Sequence, residues 1–558
     1  MQVERSRRAI GMCGRAGPGD ATRVDTMSEL LGGVRSLFEG TMGALRADAG
    51  AVRWPGTRRS AVSWSPTPLP ANLPPDAAAA AEHHDAFSLV TDPTSARMYA
   101  GVSGAVPVYA DMDAGTSDGV FFCTRLEPLA RTRGASLRPD WHAWAHILAA
   151  GGPLEGRTTF AGIHRLQPWS RVSVEAGGRP AMTASGWPWL EVAQSGSASV
   201  DAVGDALAHV IAELSSRSAV ASLLSGGWDS RILAALAARS AASPGATGDP
   251  LVAWTTSSDT GTVMEELVAA KVAEHLGVRH RVLPPRHEAF AEDLDYFARS
   301  ADYQTSFHVW LVPLARALVG SSATVLDGLG GGLFVGGAFP DDESGRPAVD
   351  QRFDRLARYL KGAEEILAPG VVAQVRERTW AAFEQVAEPL AKHPFGSTFT
   401  AYLTRTLPGI SLAPYGLMAS SAPVATPFVN NAVVTAALAI PPELHRAGRL
   451  YPQLIRRTDA YLAELPTAAD LTPRERQLPR RVSSEAAARH LRDLVTREPV
   501  RELLAPGLAG ADIGVWRRHL DNTRHQHLIR GLATLSLWLD HYADVLSSAD
   551  VDELMGRG

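Results

Sequence analysis

The residues of this chain best equipped for chemistry are Ser225-Gly226-Gly227-Trp228-Asp229-Ser230. They follow an apolar run at 219–224 and lead into Ile232-Leu233-Ala234-Ala235-Leu236, a pattern that reads as strand, tight loop, helix. Two glycines let backbone N–H groups close around an anion. Ser225 and Ser230 add hydroxyl donors, and the first helical turn adds a partial positive charge, so the loop suits a phosphate. It lacks the lysine of a Walker A loop, and Asp229 would repel a polyphosphate unless a divalent cation lay between them. Asp229 therefore predicts magnesium.

The elements that must position this loop read as an α/β unit. A helix is expected over 200–216, a second buried strand over 251–256, and a third over 323–326 that runs into Asp327-Gly328-Leu329-Gly330-Gly331-Gly332. Strands separated by helices imply a parallel sheet with ligands at the carboxyl ends of its strands, where both glycine-rich stretches fall. Helical periodicity continues over 351–367, 371–391, 430–440, 451–465, 484–497 and 525–547. Before the small-residue linker at 194–199 the pattern differs. Residues 1–26 are polar and Gly-rich and read as a loose tail, with Met27 a possible start. Residues 27–194 alternate short strand-like segments with turns, as at 105–110, 119–123 and 171–174. The expected organisation is a tail at 1–26, a sheet-rich domain at 27–194 and an α/β domain with many helices at 200–558.

Composition narrows the function classes. A chain of 558 residues exceeds the roughly 250–300 at which single cores stop growing, so more than one domain is expected. A net charge of −5 gives no electrostatic footprint for nucleic acid or an anionic membrane. Cys13 and Cys123 are the only cysteines, too few for a disulfide framework or a zinc site, which fits a reducing cytoplasm. No apolar run approaches the ~18 residues of a membrane span. Arg5, Arg7 and Arg8 are not followed by the apolar segment of a signal peptide. Lysine occurs only at 271, 361 and 392, which leaves a catalytic lysine three addresses.

The run Ser225 to Ser230 resembles the SGGxDS pyrophosphate loop of the ATP-pyrophosphatases of the asparagine synthetase family, which includes β-lactam synthetases and lasso-peptide cyclases. The resemblance covers about 200 to 480. It includes Glu265-Glu266 on the helix after the second strand, Asp327-Gly328 at the third loop, and Pro427-Phe428 followed by Val433-Val434 and Ala437-Leu438. It implies ATP and Mg2+ as cofactors, with Leu224, Ser225, Gly226, Gly227, Asp229, Ser230, Thr255, Asp327 and Gly328 around the nucleotide. Leu224 and Thr255 would meet adenine through their backbones. The first half resembles the family's glutaminase-like, Ntn-type domain at Pro107-Val108-Tyr109, Phe121-Phe122-Cys123-Thr124 and 160–168. Glutamine hydrolysis there requires a cysteine at the free N-terminus. Cys13 is internal, and the glutamine-binding motifs that should follow it are missing. The expectation is a domain without its nucleophile, and hence an amine supplied by the substrate itself.

Three departures from the family pattern stand out. Gly332 and Leu333 occupy the positions of the usual Asp-Glu, so Asp327 is the expected second magnesium ligand beside Asp229. Leu329 stands where a Glu or Tyr is common and can do no acid–base work. No lysine follows 392, which leaves Arg474, Arg476, Arg480 and Arg481 as the basic residues of the segment that should carry the catalytic lysine. Arg480 and Arg481 are the expected groups for charge on the departing pyrophosphate. The resemblance is greatest to a lasso-peptide cyclase, which adenylates an Asp or Glu side chain of a precursor peptide and closes a macrolactam on the peptide's N-terminal amine. That implies a leader-binding protein and a leader peptidase as further partners. The rival readings are a β-lactam-synthetase-like ligase of a small molecule and a non-catalytic peptide-binding scaffold.

Overall fold

The computed structural model describes residues 11–557 apart from 49–50, 55–58, 68, 70–75, 114–118, 134–136, 185, 244–249, 258, 260–261, 338, 343, 447 and 473–477. The first part of the chain forms two six-stranded antiparallel sheets. In the first, Met12–Ala16 lies between Val120–Cys123 and Gly43–Ala47. In the second, Phe87–Thr91 and Ser95–Tyr99 are central. Alternation decides the packing. Met12, Leu45 and Phe122 face the second sheet with Trp64, Leu89 and Met98, whereas Cys13, Phe121 and Tyr109 face the helices Ala21–Leu30 and Trp141–Ala150.

Residues 11–26 are therefore not a loose tail; residues 1–10 lie outside the described residues. The composition misleads because Gly14 is a close-approach residue inside a central strand. A Cβ there would lie 2.1 Å from the Ala44 carbonyl oxygen and 2.6 Å from the Phe122 ring. Arg15, buried in the same strand, donates its two terminal nitrogens to the carbonyls of Gly17, Gly40 and Thr41.

After an exposed stretch at 193–199, the helix Val200–Arg217 feeds a five-stranded parallel sheet. Its order is Arg279–Val282, Val252–Thr255, Val220–Leu223, Thr324–Leu326, Val424–Ala425. The earliest strand is central, the next two add on one side and the last two on the other. The loops leaving Val220–Leu223 and Thr324–Leu326 consequently diverge and open a crevice at the strands' carboxyl ends, the topological switch point where such sheets bind ligands. One face of the sheet packs on Val200–Arg217, Trp228–Ala241 and Met264–Leu276; the other meets Phe290–Ser300 and Val312–Ala317.

The longer helical readings hold as Pro369–Ala387, Asn431–Leu438, Glu485–Val495 and Thr523–His541. Two break up. The 351–367 stretch is the helix Ala348–Leu356 followed by single turns at Arg358–Leu360 and Ala363–Glu365, interrupted at Gly362 with φ +80°. The 451–465 stretch divides at Asp459, whose extended backbone ends Leu450–Thr458 and whose carboxylate caps Ala460–Glu464. The two parts of the chain share a core. Trp144 meets Trp538 at 5.3 Å between ring centroids, and Arg125 holds the buried Asp302 with a two-pronged ion pair.

Candidate active site

The crevice is an open cleft of about 470 Å³. The phosphate loop borders it with Ser225, Asp229 and Ser230, and the third loop with Asp327, Gly328 and Gly332. Ser225 and Ser230 tie the loop closed: the Ser225 amide donates to Ser230 Oγ at 3.0 Å and the Gly227 amide to Ser225 Oγ at 3.1 Å. The Gly226 amide donates to Glu265 at 2.5 Å, so the acidic helix start holds the loop shut from outside. Glu266 follows with its Oε2 unpartnered among the described residues. Beneath the loop, buried Arg231 binds the carbonyls of Gly226, Leu465 and Pro466.

Asp229 and Asp327 are brought together from neighbouring strand ends. Burial raises the Asp229 carboxyl to about 6 against hydrogen bonds from Tyr451 and the Gly332 amide. Burial also raises Asp327 to about 6, aided by the negative charge of Asp229 and opposed by the Leu329 amide, which donates to it at 2.8 Å. Glycine permits this juxtaposition: a Cβ on Gly328 would lie 2.8 Å from that of Asp229, and one on Gly331 would lie 2.5 Å from the Tyr451 hydroxyl. Two hard carboxylates raised by burial, one of them also by the other's charge, beside serine hydroxyls are a donor set suited to Mg2+. Asp229 and Asp327 would hold it.

The apolar part of the cleft is formed by Leu223, Leu224, Trp254, Trp310, Leu311 and Leu314, a slot fit for a flat base. The backbones of Leu224 and Thr255, expected to meet adenine, are engaged within the sheet. The Leu224 amide donates to the Trp254 carbonyl at 2.8 Å, and its own carbonyl accepts from Thr255 Oγ1 at 2.7 Å. Thr255 is buried within the sheet and bonds His280 as well, so Thr256, one residue on, reaches the cleft.

Of the two late arginines expected at the pyrophosphate, Arg481 is engaged away from the cleft. Arg481 is 3 % exposed, pairs with Asp293 and donates to the Arg286 carbonyl at 2.8 Å. Asp293, buried on the helix Phe290–Ser300, takes this guanidinium as its counter-charge and keeps it from the cleft. Arg480 lies beside Arg530 and Asp259, and Arg474 and Arg476 lie outside the described residues. Leu329 and Leu333 line the cleft as apolar wall. Cys13 is buried, and burial pushes its thiol up to about 12, the reverse of an activated nucleophile.

Several residues escape sequence reading. Arg231 directly follows the Ser225–Ser230 motif and could have been suspected as its anchor. Tyr451, His308 and Arg405 carry no local signal, because tertiary packing alone brings them to this cleft. A family model described as asparagine synthase matches residues 202–540, and no curated protein matches the chain.

Proposed function

The chain belongs to the asparagine synthase family, whose members are ATP-dependent ligases that release AMP and pyrophosphate, and from that premise we propose that it is a macrolactam-forming ligase of the lasso-peptide cyclase kind. In this reading a side-chain carboxylate of a precursor peptide attacks the α-phosphorus of ATP and pyrophosphate leaves. The peptide's own N-terminal amine then attacks the acyl carbon, AMP leaves with the C–O bond pair, and a proton is released to solvent. Magnesium would supply positive charge to the phosphates at Asp229 and Asp327. Ser225, Ser230 and the opening turn of the helix Trp228–Ala241 orient the phosphates, and Trp254, Trp310 and Leu311 line the slot for the base.

The observation that carries the ligase reading is the convergence of Asp229 and Asp327 beside the phosphate loop in one open cleft. A peptide scaffold would not need two half-buried carboxylates on the same cleft. The substrate-derived amine is supported by the buried Cys13 thiol, held in its neutral form. The test is ATP-dependent loss of one water from a synthetic precursor peptide with a free N-terminus and an internal Asp or Glu, followed by mass spectrometry. Pyrophosphate release without any cyclised peptide would keep the ligase and remove the macrolactam. No peptide-dependent pyrophosphate release, across precursors and small carboxylates, would leave the scaffold reading.

A further inference from the structure

Away from its phosphate loop, the cleft is bordered by His308, Phe339 and Arg405, and it continues into a smaller pocket that Phe339 and Arg405 share with Arg358. Arg405 projects from a π-helical stretch, Tyr402–Ile410, a local widening common at functional sites. Its guanidinium lies 5.2 Å from the centroid of the Phe339 ring, and it has no ion pair among the described residues. Arg358 donates to the Tyr359 hydroxyl at 2.9 Å and stacks on that ring at 5.0 Å. Arg530, from the helix Thr523–His541, has a buried Nε with no hydrogen-bond partner among the described residues. Burial, with the charges of Arg405 and Arg530 added, holds the His308 ring well below its usual value, at about 3, so it adds no charge of its own at neutral pH.

The acids near this set offset it only in part. Arg480 adds a cation beside Arg530. Asp259 is the one acid facing Arg530 among the described residues, and its carboxylate already accepts the Arg481 and Val482 amides at 2.6 and 3.5 Å. Arg352 and Arg355, on the smaller pocket, are both spent on Asp341 at 2.7 Å. Gathering Arg358 and Arg405 on one pocket costs desolvation and mutual repulsion, a cost met when a ligand brings the anion.

We propose that this cationic pocket binds a carboxylate of the acyl-donor substrate other than the one that reacts, so that the enzyme selects an acidic peptide segment carrying more than one carboxylate. The proposal rests on the ligase reading of the same cleft and adds its substrate class. The nucleotide's phosphates already have the Ser225–Ser230 loop, and planar guanidinium forks match a carboxylate.

The test uses the full chain and two peptides bearing an uncharged dye, tetraglutamate and tetraglutamine, followed by fluorescence polarisation at low and at physiological salt. A non-hydrolysable ATP analogue with Mg2+ is titrated in parallel. Tetraglutamate should bind about tenfold more tightly. Arg405→Gln and Arg358→Gln should each remove most of that preference and keep the analogue's affinity within about threefold. Arg405→Lys, which keeps the charge and loses the fork, should retain part of the preference and guards against a misfolded Gln variant. Equal affinity for the two peptides, or a preference intact in both Gln variants, overturns the proposal. So does a parallel loss of analogue binding, which would assign the cations to ATP. Failure of the wild type to bind the analogue while the acidic preference stands would instead sink the ligase reading.

Discussion

Tyr451 donates its hydroxyl to the Asp229 carboxylate across a sequence separation of 222 residues. The same hydroxyl fills the space a side chain on Gly331 would need, so Tyr451, Asp229 and the third loop pack as one unit. The hydrogen bond favours the charged carboxylate and works against burial, which has raised Asp229 to about 6. Tyr451→Phe should therefore raise that pKa further. The acid limb of the pH–rate profile should move up by about one unit, the worth of one hydrogen bond to a charged acceptor, with the plateau above it within about threefold. An acid limb that stays in place would mean that Asp229 does not govern the rate.

Asp229→Ala should lower pyrophosphate release by about two to three orders of magnitude, as expected when roughly 3–4 kcal/mol of charge stabilisation is lost. Turnover near wild type would remove the metal assignment.

Asp229→Asn separates that role from the fold. The folded carboxyl titrates near 6 and the unfolded one near 3.8, so between these values the folded state holds more protons. Wild-type stability contributed by this group thus declines as pH rises through that window. Without Mg2+, Asn should be more stable than Asp by on the order of 1 kcal/mol above about pH 6, since water in the open cleft screens much of the penalty. The difference should vanish near about pH 4. Thermal melts with and without Mg2+ read this, and a variant less stable than wild type throughout would make Asp229 a structural acceptor.

The third loop offers a gain-of-function test. A Cβ on Gly332 meets nothing within 4 Å, whereas one on Gly331 would lie 2.8 Å from the Asp229 carboxyl carbon. Gly332→Asp should therefore fold and lower the Mg2+ concentration for half-maximal activity, and Gly331→Ala should be impaired in both folding and activity. Asp327→Asn should raise the Mg2+ requirement more than the KM for peptide, and Gly332→Asp should partly rescue it. Identical Mg2+ half-saturation in wild type, both single variants and the double variant would make Asp327 a turn residue.

The phosphate loop and the third loop were legible because their chemistry is local. An apolar strand, two glycines and a helix start sit within a dozen residues, and Asp327 follows its strand directly. The sheet order was only partly legible, since Arg279–Val282 is a polar edge strand and Val424–Ala425 spans two residues. Arg480 and Arg481 were legible as basic residues at the right distance along the chain. Sequence could not show that Asp293 takes the Arg481 charge, because that pair joins positions 188 residues apart. The same holds for Arg358 and Arg405, which line one pocket through tertiary packing. The strand at Met12–Ala16 was hidden by Gly14 and Arg15, residues that look like a tail until neighbouring strands supply their contacts.

That strand sets the final prediction, which separates the cysteine from the backbone that carries it. Cys13 lies opposite Cys123 in the sheet, its Sγ is 3.9 Å from the Val24 carbonyl oxygen, and its thiol is pushed up to about 12. Cys13→Ala removes one buried sulfur and should cost about 1 kcal/mol of stability while leaving ligase activity within about twofold. Deleting everything before Met27 instead removes a central strand, exposing the edges of Val120–Cys123 and Gly43–Ala47 and the core face of Trp141–Ala150. The truncated chain should aggregate or fail to fold. Glutamine and ammonia should leave the activity of the intact protein unchanged, and a thiol reagent should label native Cys13 far more slowly than the unfolded chain. Glutamate released from glutamine by the pure protein, and abolished by Cys13→Ala, would show that the first half makes ammonia after all and that the attacking amine need not belong to the peptide.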